Sequence, residues 1–259
     1  MKAPWSFVGN SLFRGGKRGV FGYRLRAGGL VVHTRHTWLD DFVFDEVFGG
    51  QVYRPPAAVQ TALGSGDGEP RVLDLGGHLG FAALYFLALY PRARVVSYEP
   101  EPENARILRR TVAANRRQKQ WQVVEAGAGS HSGRADFVAG AGARSHLVDA
   151  TAVEPVSAEG ERIEVAIDDV LPLLAEAELV KLDVEGGEWQ ILSDERFAAS
   201  APAALVLEFH GRDDLQGAAA HLRSLLADAG YTVGEAQMRP ELGNGTLWAW
   251  REGNAGSGA

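Results

Sequence analysis

From Arg71 onward, short apolar runs alternate with longer segments of helical period. RVLDL, ARVVSYEP, WQVVEAGAG, ELVKLDV and AALVLEFH read as five strands. FAALYFLALY, between the first two, is apolar on most sides; it reads as a helix packed hard against a sheet and ended by Pro91. Pro102 to Arg117 reads as a helix with proline in its first turn and a basic C-terminal end. GRADFVAG reads as a small added strand, IEVAI leads to Asp168 as N-cap of DVLPLLAEA, and GGEWQILSDERF reads as a further helix. From Asp213 to Ala229, Leu215, Leu222, Leu225 and Leu226 share one helical face, with Gly230 just beyond. YTVGEAQM and GTLWAWR form two last strands. Such alternation predicts a mostly parallel sheet with helices on both faces, and ligands bind such sheets beyond the carboxyl ends of the strands.

Upstream, residues 20–35 read as a hairpin turning at Ala27-Gly28-Gly29, and LDDFVFDEVFGG as a short helix capped by Asp40 or Asp41 and stopped at Gly49-Gly50. Pro55-Pro56 and the stretch Gly64 to Gly68 read as a connection. The expected organisation is an N-terminal hairpin and helix cap facing the substrate over 1–68, a ligand-binding α/β domain over 69–252, and a disordered tail over 253–259. Ala141 to Gly160 reads as a loop.

Composition narrows the class. The chain has 259 residues, 46% of them hydrophobic and 23% charged, which suits a globular α/β protein. Acids outnumber bases 33 to 26, for a net charge of -7, and no basic stripe stands out, which argues against a nucleic-acid partner. With no cysteine, disulfides, thiolate metal sites and cysteine nucleophiles are excluded. The longest apolar run, Phe81 to Tyr90, is shorter than the roughly 20 residues of a membrane span. The N-terminus lacks the apolar core of a signal peptide. These features lead to the expectation of a cytoplasmic protein with no membrane partner; a homo-oligomer is left open.

The expected strand ends carry the candidate chemistry. The first runs into Asp74-Leu-Gly76-Gly77-His78-Leu-Gly80, where glycines let a ligand lie against bare backbone at a helix start. The acid and the glycine spacing differ from the dinucleotide fingerprint. The second ends in Tyr98-Glu99-Pro100, and a carboxylate there can accept both hydrogen bonds of a ribose diol. The fourth ends in Lys181-Leu-Asp183-Val-Glu185-Gly-Gly-Glu188 and the fifth in Glu208-Phe-His210. Glu188 falls in a first helical turn, where the helix dipole favours an acid. Asp183, Glu185, Glu208 and His210 are expected to converge on one mouth and are the catalytic candidates.

DLGGHLG, then YEPEPENARIL, then VKLDVEGGEWQIL and LVLEFH resemble, in that order, the FkbM-type family of S-adenosylmethionine-dependent methyltransferases. That family's first motif usually reads D-I-G-A-N-I-G; here Gly77 and His78 stand where it has alanine and asparagine. The resemblance implies a Rossmann-like class I methyltransferase fold, a seven-stranded sheet whose last strand is antiparallel. It implies S-adenosylmethionine over the first two strand ends. Asp74, Gly76, Gly77, His78 and Gly80 would face its methionine part, Glu99 and Pro100 its ribose, and Ala126 and Gly127 would border its adenine. Asp183 is counted with both the cofactor-binding and the catalytic residues. Asn104, in the second helix, is either beside the cofactor or on the surface. The implied reaction is O-methylation of a hydroxyl on a small natural product or sugar, with nitrogen or carboxyl acceptors as the alternative. The acceptor's proton would go to Asp183 or His210, or Asp183, Glu208 and His210 would bind magnesium or manganese. Arg35, His36, Trp38, Asp41 and Tyr53 in the cap carry no readable substrate code. Two other classes compete. A short-chain reductase needs Tyr-x-x-x-Lys, which none of the six tyrosines provides. A non-catalytic cofactor-binding module is opposed by the acids at the fourth and fifth strand ends.

Overall fold

The computed structural model describes residues 19–26, 28–63, 69–139, 161–184, 187–211 and 214–251. The connection Gly64 to Gly68, the loop Ala141 to Gly160, Glu185 and the tail 253–259 lie outside them.

The chain begins with the hairpin β1 (Phe21–Arg24) and β2 (Val31–Thr34), then α1 (Trp38–Phe44), a π-helical turn (Asp45–Gly50) and α2 (Ala57–Ala62). There follow β3 (Arg71–Leu75), α3 (Phe81–Leu89), β4 (Arg94–Tyr98), α4 (Pro102–Ala114) and β5 (Trp121–Val124). Next come β6 (Gly127–Gly129), β7 (Gly133–Ala139), β8 (Glu161–Asp169), α5 (Leu171–Leu174), β9 (Leu179–Leu182), α6 (Glu188–Leu192) and α7 (Phe197–Ser200). The last elements are β10 (Ala204–His210), α8 (Leu215–Asp228), β11 (Thr232–Val233), β12 (Gln237–Arg239) and β13 (Asn244–Trp250).

The central sheet runs β5-β4-β3-β9-β10-β13-β11. The pairs β5–β4, β4–β3, β3–β9 and β9–β10 are parallel, and β13 is antiparallel to both its neighbours. This is the Rossmann-like class I methyltransferase arrangement. Its count departs from seven because the short β12 adds to β13 as an eighth strand. The segment expected as one third strand splits: β5 stays in the central sheet, while β6 pairs with β8 in a separate three-stranded sheet with β7.

The sheet's two faces carry separate cores, as a period of two requires. On one face Val72, Val95, Leu179 and Val206 pack with Leu84 and Phe86 of α3, Ile107 and Leu108 of α4, and Val32, Phe44 and Phe48 of the cap. On the other, Leu73, Leu75, Val180, Leu182, Leu205 and Leu207 pack with Leu171, Ile191, Phe197, Leu222 and Leu226. The cap thus shares its core with the sheet. Asn115 fastens the hairpin to α4, accepting the Val31 N–H at 2.7 Å and donating to the Val31 carbonyl at 2.7 Å.

Two expected caps are corrected. Thr37, not Asp40 or Asp41, caps α1, its hydroxyl accepting the Asp40 N–H at 3.0 Å, which leaves Asp40 free to turn inward. Asp169, not Asp168, accepts the Leu171 N–H at the start of α5. Among the described residues no helix is long and apolar enough to cross a membrane.

Candidate active site

The topological switch lies between β3 and β9, since the chain leaves β3 toward β4 on one side and reaches β9 on the other. A polar row crosses the sheet just below this point. Register places Asp74 opposite Ser97 on β4 and opposite Lys181 on β9, all three on the cap-facing side. Trp121 Nε1 donates to Ser97 Oγ at 2.9 Å, and Ser97 Oγ donates to Asp74 Oδ2 at 2.7 Å. Lys181 Nζ lies 4.0 Å from Asp74 Oδ1 and 2.9 Å from Asp183 Oδ2, and donates to the Gly76 carbonyl at 2.6 Å. Burial raises the Asp74 pKa against the pull of Lys181. Burial alone would lower that of Lys181, but Asp183 and Asp74 outweigh it and raise it. Asp74 is wholly buried, and its Oδ1 has no hydrogen-bond partner.

The turn itself is built by close packing. Gly76 has φ +84°, and a Cβ there would lie 1.7 Å from the Asp183 carbonyl oxygen. Gly80, at φ +86°, presses on Leu108 and Trp121 and starts α3 under the surface. The N–H groups of Gly76 and Gly77 donate to the Tyr98 carbonyl at 3.1 and 2.7 Å, binding the turn to the end of β4. Glu99 completes the tie: its Oε2 accepts the His78 N–H at 2.6 Å and its Oε1 the Glu101 N–H at 2.9 Å. Glu99 is buried, and that burial pushes its pKa up to about 7. Asn104, expected either here or on the surface, is buried; its Nδ2 reaches Glu99 Oε1 at 3.4 Å and Glu101 Oε2 at 3.3 Å. Its own Oδ1 is buried with no hydrogen-bond partner.

Above these strand ends lies a cavity of about 300 Å³, within the size range of small-molecule sites. Gly76, Gly77, His78, Glu99, Pro100, Asn104, Gly127, Asp183, Glu208 and His210 all line it. Asp74, Gly80 and Ala126 lie behind the wall, and Ala128 takes the position expected for Ala126. Glu185 lies outside the described residues.

The acids at the far end are already matched by cations. Asp183 pairs with Lys181. Glu208 lies 3.2 Å from Arg239 on β12 and accepts from Asn244 Nδ2, while the other side of the Arg239 guanidinium pairs with Glu46 in the cap. His210 stands between two carboxylates, Nε2 3.8 Å from Glu208 Oε1 and Nδ1 4.0 Å from Glu188 Oε1. Glu188 stands in the first turn of α6, as the sequence reading placed it. It is buried, its Oε1 accepts the Val184 N–H at 2.8 Å, and burial raises its pKa against the influence of His210. Among the described residues, no group of three or more histidine and acidic side chains stands close enough to hold a metal ion; Lys181 pairs with Asp183 and Arg239 with Glu208.

The cap forms the roof. Trp38, Leu39, Phe42, Val43, Glu46 and Val47 line the cavity, with Tyr53 beside Lys181. Arg35, His36 and Asp41 do not line it. Asp40, wholly buried, takes a two-pronged contact from Arg35 at 2.8 and 3.0 Å and faces His78 Nε2 at 3.5 Å. Burial would raise the Asp40 pKa, but Arg35 outweighs it and holds it down. Burial lowers the His78 pKa to about 4, so the ring is neutral at ordinary pH. Sequence reasoning missed Lys181 and Arg239 as site residues. A lysine alternating with apolar residues in VKL was the available signal for the first; nothing local marked the second.

A family model described as the methyltransferase FkbM domain matches residues 74–233. Among curated proteins, the AMB antimetabolite synthetase AmbE of Pseudomonas aeruginosa is 27% identical over 241 residues, covering 74% of this chain and 11% of AmbE. The chain thus spans about a tenth of that relative's length. Among solved structures, precorrin-6y C5,15-methyltransferase from Geobacter metallireducens is 15% identical with a TM-score of 0.42, covering 75% of this chain and 85% of that one. An O-methyltransferase family protein from Burkholderia thailandensis is 14% identical with a TM-score of 0.43, covering 83% of this chain and 60% of that one.

Proposed function

Because this chain belongs to the FkbM methyltransferase family, we propose that it transfers the methyl group of S-adenosylmethionine to a hydroxyl of a small molecule in secondary metabolism. The observation that carries this reading is one cavity with two chemically different ends. A glycine turn pinned by a buried glutamate forms one end, and a histidine between two carboxylates forms the other. AmbE, by its name an antimetabolite synthetase, supports placing the acceptor in secondary metabolism.

The residues present fit the cofactor. Glu99 lines the cavity; its Oε1 accepts from the Glu101 N–H and from Asn104 Nδ2, while its Oε2 accepts only the His78 N–H and retains a lone pair for a ribose hydroxyl. Asn104 Oδ1, buried and without a partner in the wall, offers another acceptor. Gly76 and Gly77 line the cavity with backbone, and their turn is fixed by the close packing behind it. When bound, S-adenosylmethionine supplies an electrophilic methyl group on a sulfonium sulfur.

The chain's own groups do the rest. The cap roof and the strand ends hold the acceptor oxygen in line and exclude water, and positioning of this kind is a large share of the rate in a displacement. His210 takes the acceptor hydroxyl's proton, and the positive charge its ring then carries faces Glu208 and Glu188. Asp183, held by Lys181, shapes the wall beside the glycine turn. Calorimetry with S-adenosylmethionine, followed by mass spectrometry of products from candidate hydroxyl acceptors, tests the reading. A protein that binds no S-adenosylmethionine, or a methyl group found only on nitrogen, would refute it.

A further inference from the structure

The cavity's two ends lie three strand spacings apart, from β4 to β10, or about 14 Å at about 4.8 Å per strand. The cavity has a marked asymmetry of surface. The cap covers it with Phe42, Val43 and Val47, and Trp38 stacks on Phe42 with ring centroids 5.4 Å apart and planes 16° from parallel. Trp38 is nevertheless 74% exposed. Leu242, on the turn between β12 and β13, lines the same cavity where it opens to solvent and is 41% exposed. These are two of the three exposed large hydrophobic residues among the described residues, so exposed apolar surface is concentrated at this opening.

Acids outnumber bases among the residues that line it. Glu46, Glu99, Glu101, Asp183 and Glu208 line the cavity, and the lining ammonium of Lys181 is committed to Asp183 and Asp74. Arg239 is shared by Glu46 and Glu208. An anionic acceptor would be repelled by these acids and would have to take a cation from one of them. A polyol would leave hydroxyls unsatisfied against Phe42, Val43 and Val47.

We infer that the acceptor is a hydroxy compound with a flat apolar body and no anionic group, its ring lying on Trp38 and its hydroxyl directed to His210. Trp38 is then the residue that selects it. This inference rests on the methyltransferase reading above.

The test uses the full chain saturated with S-adenosylhomocysteine and three calorimetric probes: 2-naphthol, 6-hydroxy-2-naphthoate and methyl glucoside. We expect 2-naphthol to bind about tenfold more tightly than either of the others. Trp38→Ala should weaken 2-naphthol binding by about fivefold or more and leave S-adenosylhomocysteine affinity unchanged. Leu242→Asp, also at an exposed position, should weaken it in the same sense. Equal or tighter binding of the naphthoate or the glucoside, no measurable binding of 2-naphthol, or full 2-naphthol affinity in Trp38→Ala would overturn the inference while leaving the methyltransferase reading intact. Failure of S-adenosylhomocysteine itself to bind would remove both.

Discussion

Replacing Glu99 by glutamine should change the sign of its effect on stability with pH. Glu99 is buried, and its pKa stands at about 7 against 4.5 for the free side chain. The folded protein therefore holds this proton more tightly than the unfolded chain does. The stability contributed by the group is greatest in acid and falls as pH rises from about 4.5 to about 7, by about 1.4 kcal/mol per unit where the two states differ by one proton. Above that the contribution is flat. Glutamine has no such proton. It keeps one acceptor oxygen for the two N–H groups of His78 and Glu101, so it loses one hydrogen bond, at a pH-independent cost of about 1–3 kcal/mol. Between about pH 5.5 and about pH 8, the stability of Glu99→Gln relative to the native chain should rise by about 2 kcal/mol. Urea unfolding of the cofactor-free proteins at the two pH values measures this. The same logic makes S-adenosylhomocysteine binding to the native chain tighten as pH rises toward about 7, because a diol bonds the ionised carboxylate better, and makes the mutant's affinity flat. A stability difference constant within about 0.5 kcal/mol across that range would show that Glu99 is not held near neutrality by burial, and the reasoning would fail.

Three further outcomes are expected. Gly76→Ala should cost more than about 3 kcal/mol, since its Cβ would meet the Asp183 carbonyl at 1.7 Å. Gly230→Ala, at φ +83° with nothing within 4 Å, should cost only about 1–2 kcal/mol; equal urea midpoints would refute the packing argument. Lys181→Met should destabilise by about 3–5 kcal/mol because it leaves Asp74 and Asp183 without their cation, and adding Asp74→Asn should recover part of the loss in thermal unfolding. Asp183→Asn and His210→Asn should both keep cofactor affinity, but His210→Asn should lower turnover by about 10²-fold or more and Asp183→Asn by less. Activity of the native chain should survive thorough chelation; activity lost to a chelator and restored by magnesium or manganese would return the reaction to a metal-assisted course.

Alternation of apolar runs, a glycine cluster after the first strand and acids at later strand ends were legible in the chain because they are local. A strand buried on both faces must be apolar, a turn at positive φ favours glycine, and both properties appear within a few residues. So β3, β4, β9, β10, the turn at Gly76 and the role of Glu99 as a strand-end carboxylate could be read directly. What the chain could not show is who stands beside whom. That Asp74 stands between Ser97 and Lys181, wholly buried, was decided by strand register. Lys181, to which the sequence assigned no role, is made by the same register the counterion of Asp74 and Asp183. Glu46 and Arg239 are almost 200 residues apart, and only the docking of the cap against the β12–β13 hairpin brings them together over Glu208. Propensity and pattern act through neighbours in sequence. Charge pairing, desolvation and the choice of which face of a turn meets solvent act through neighbours in space, and those were decided by the packing of the cap on the sheet.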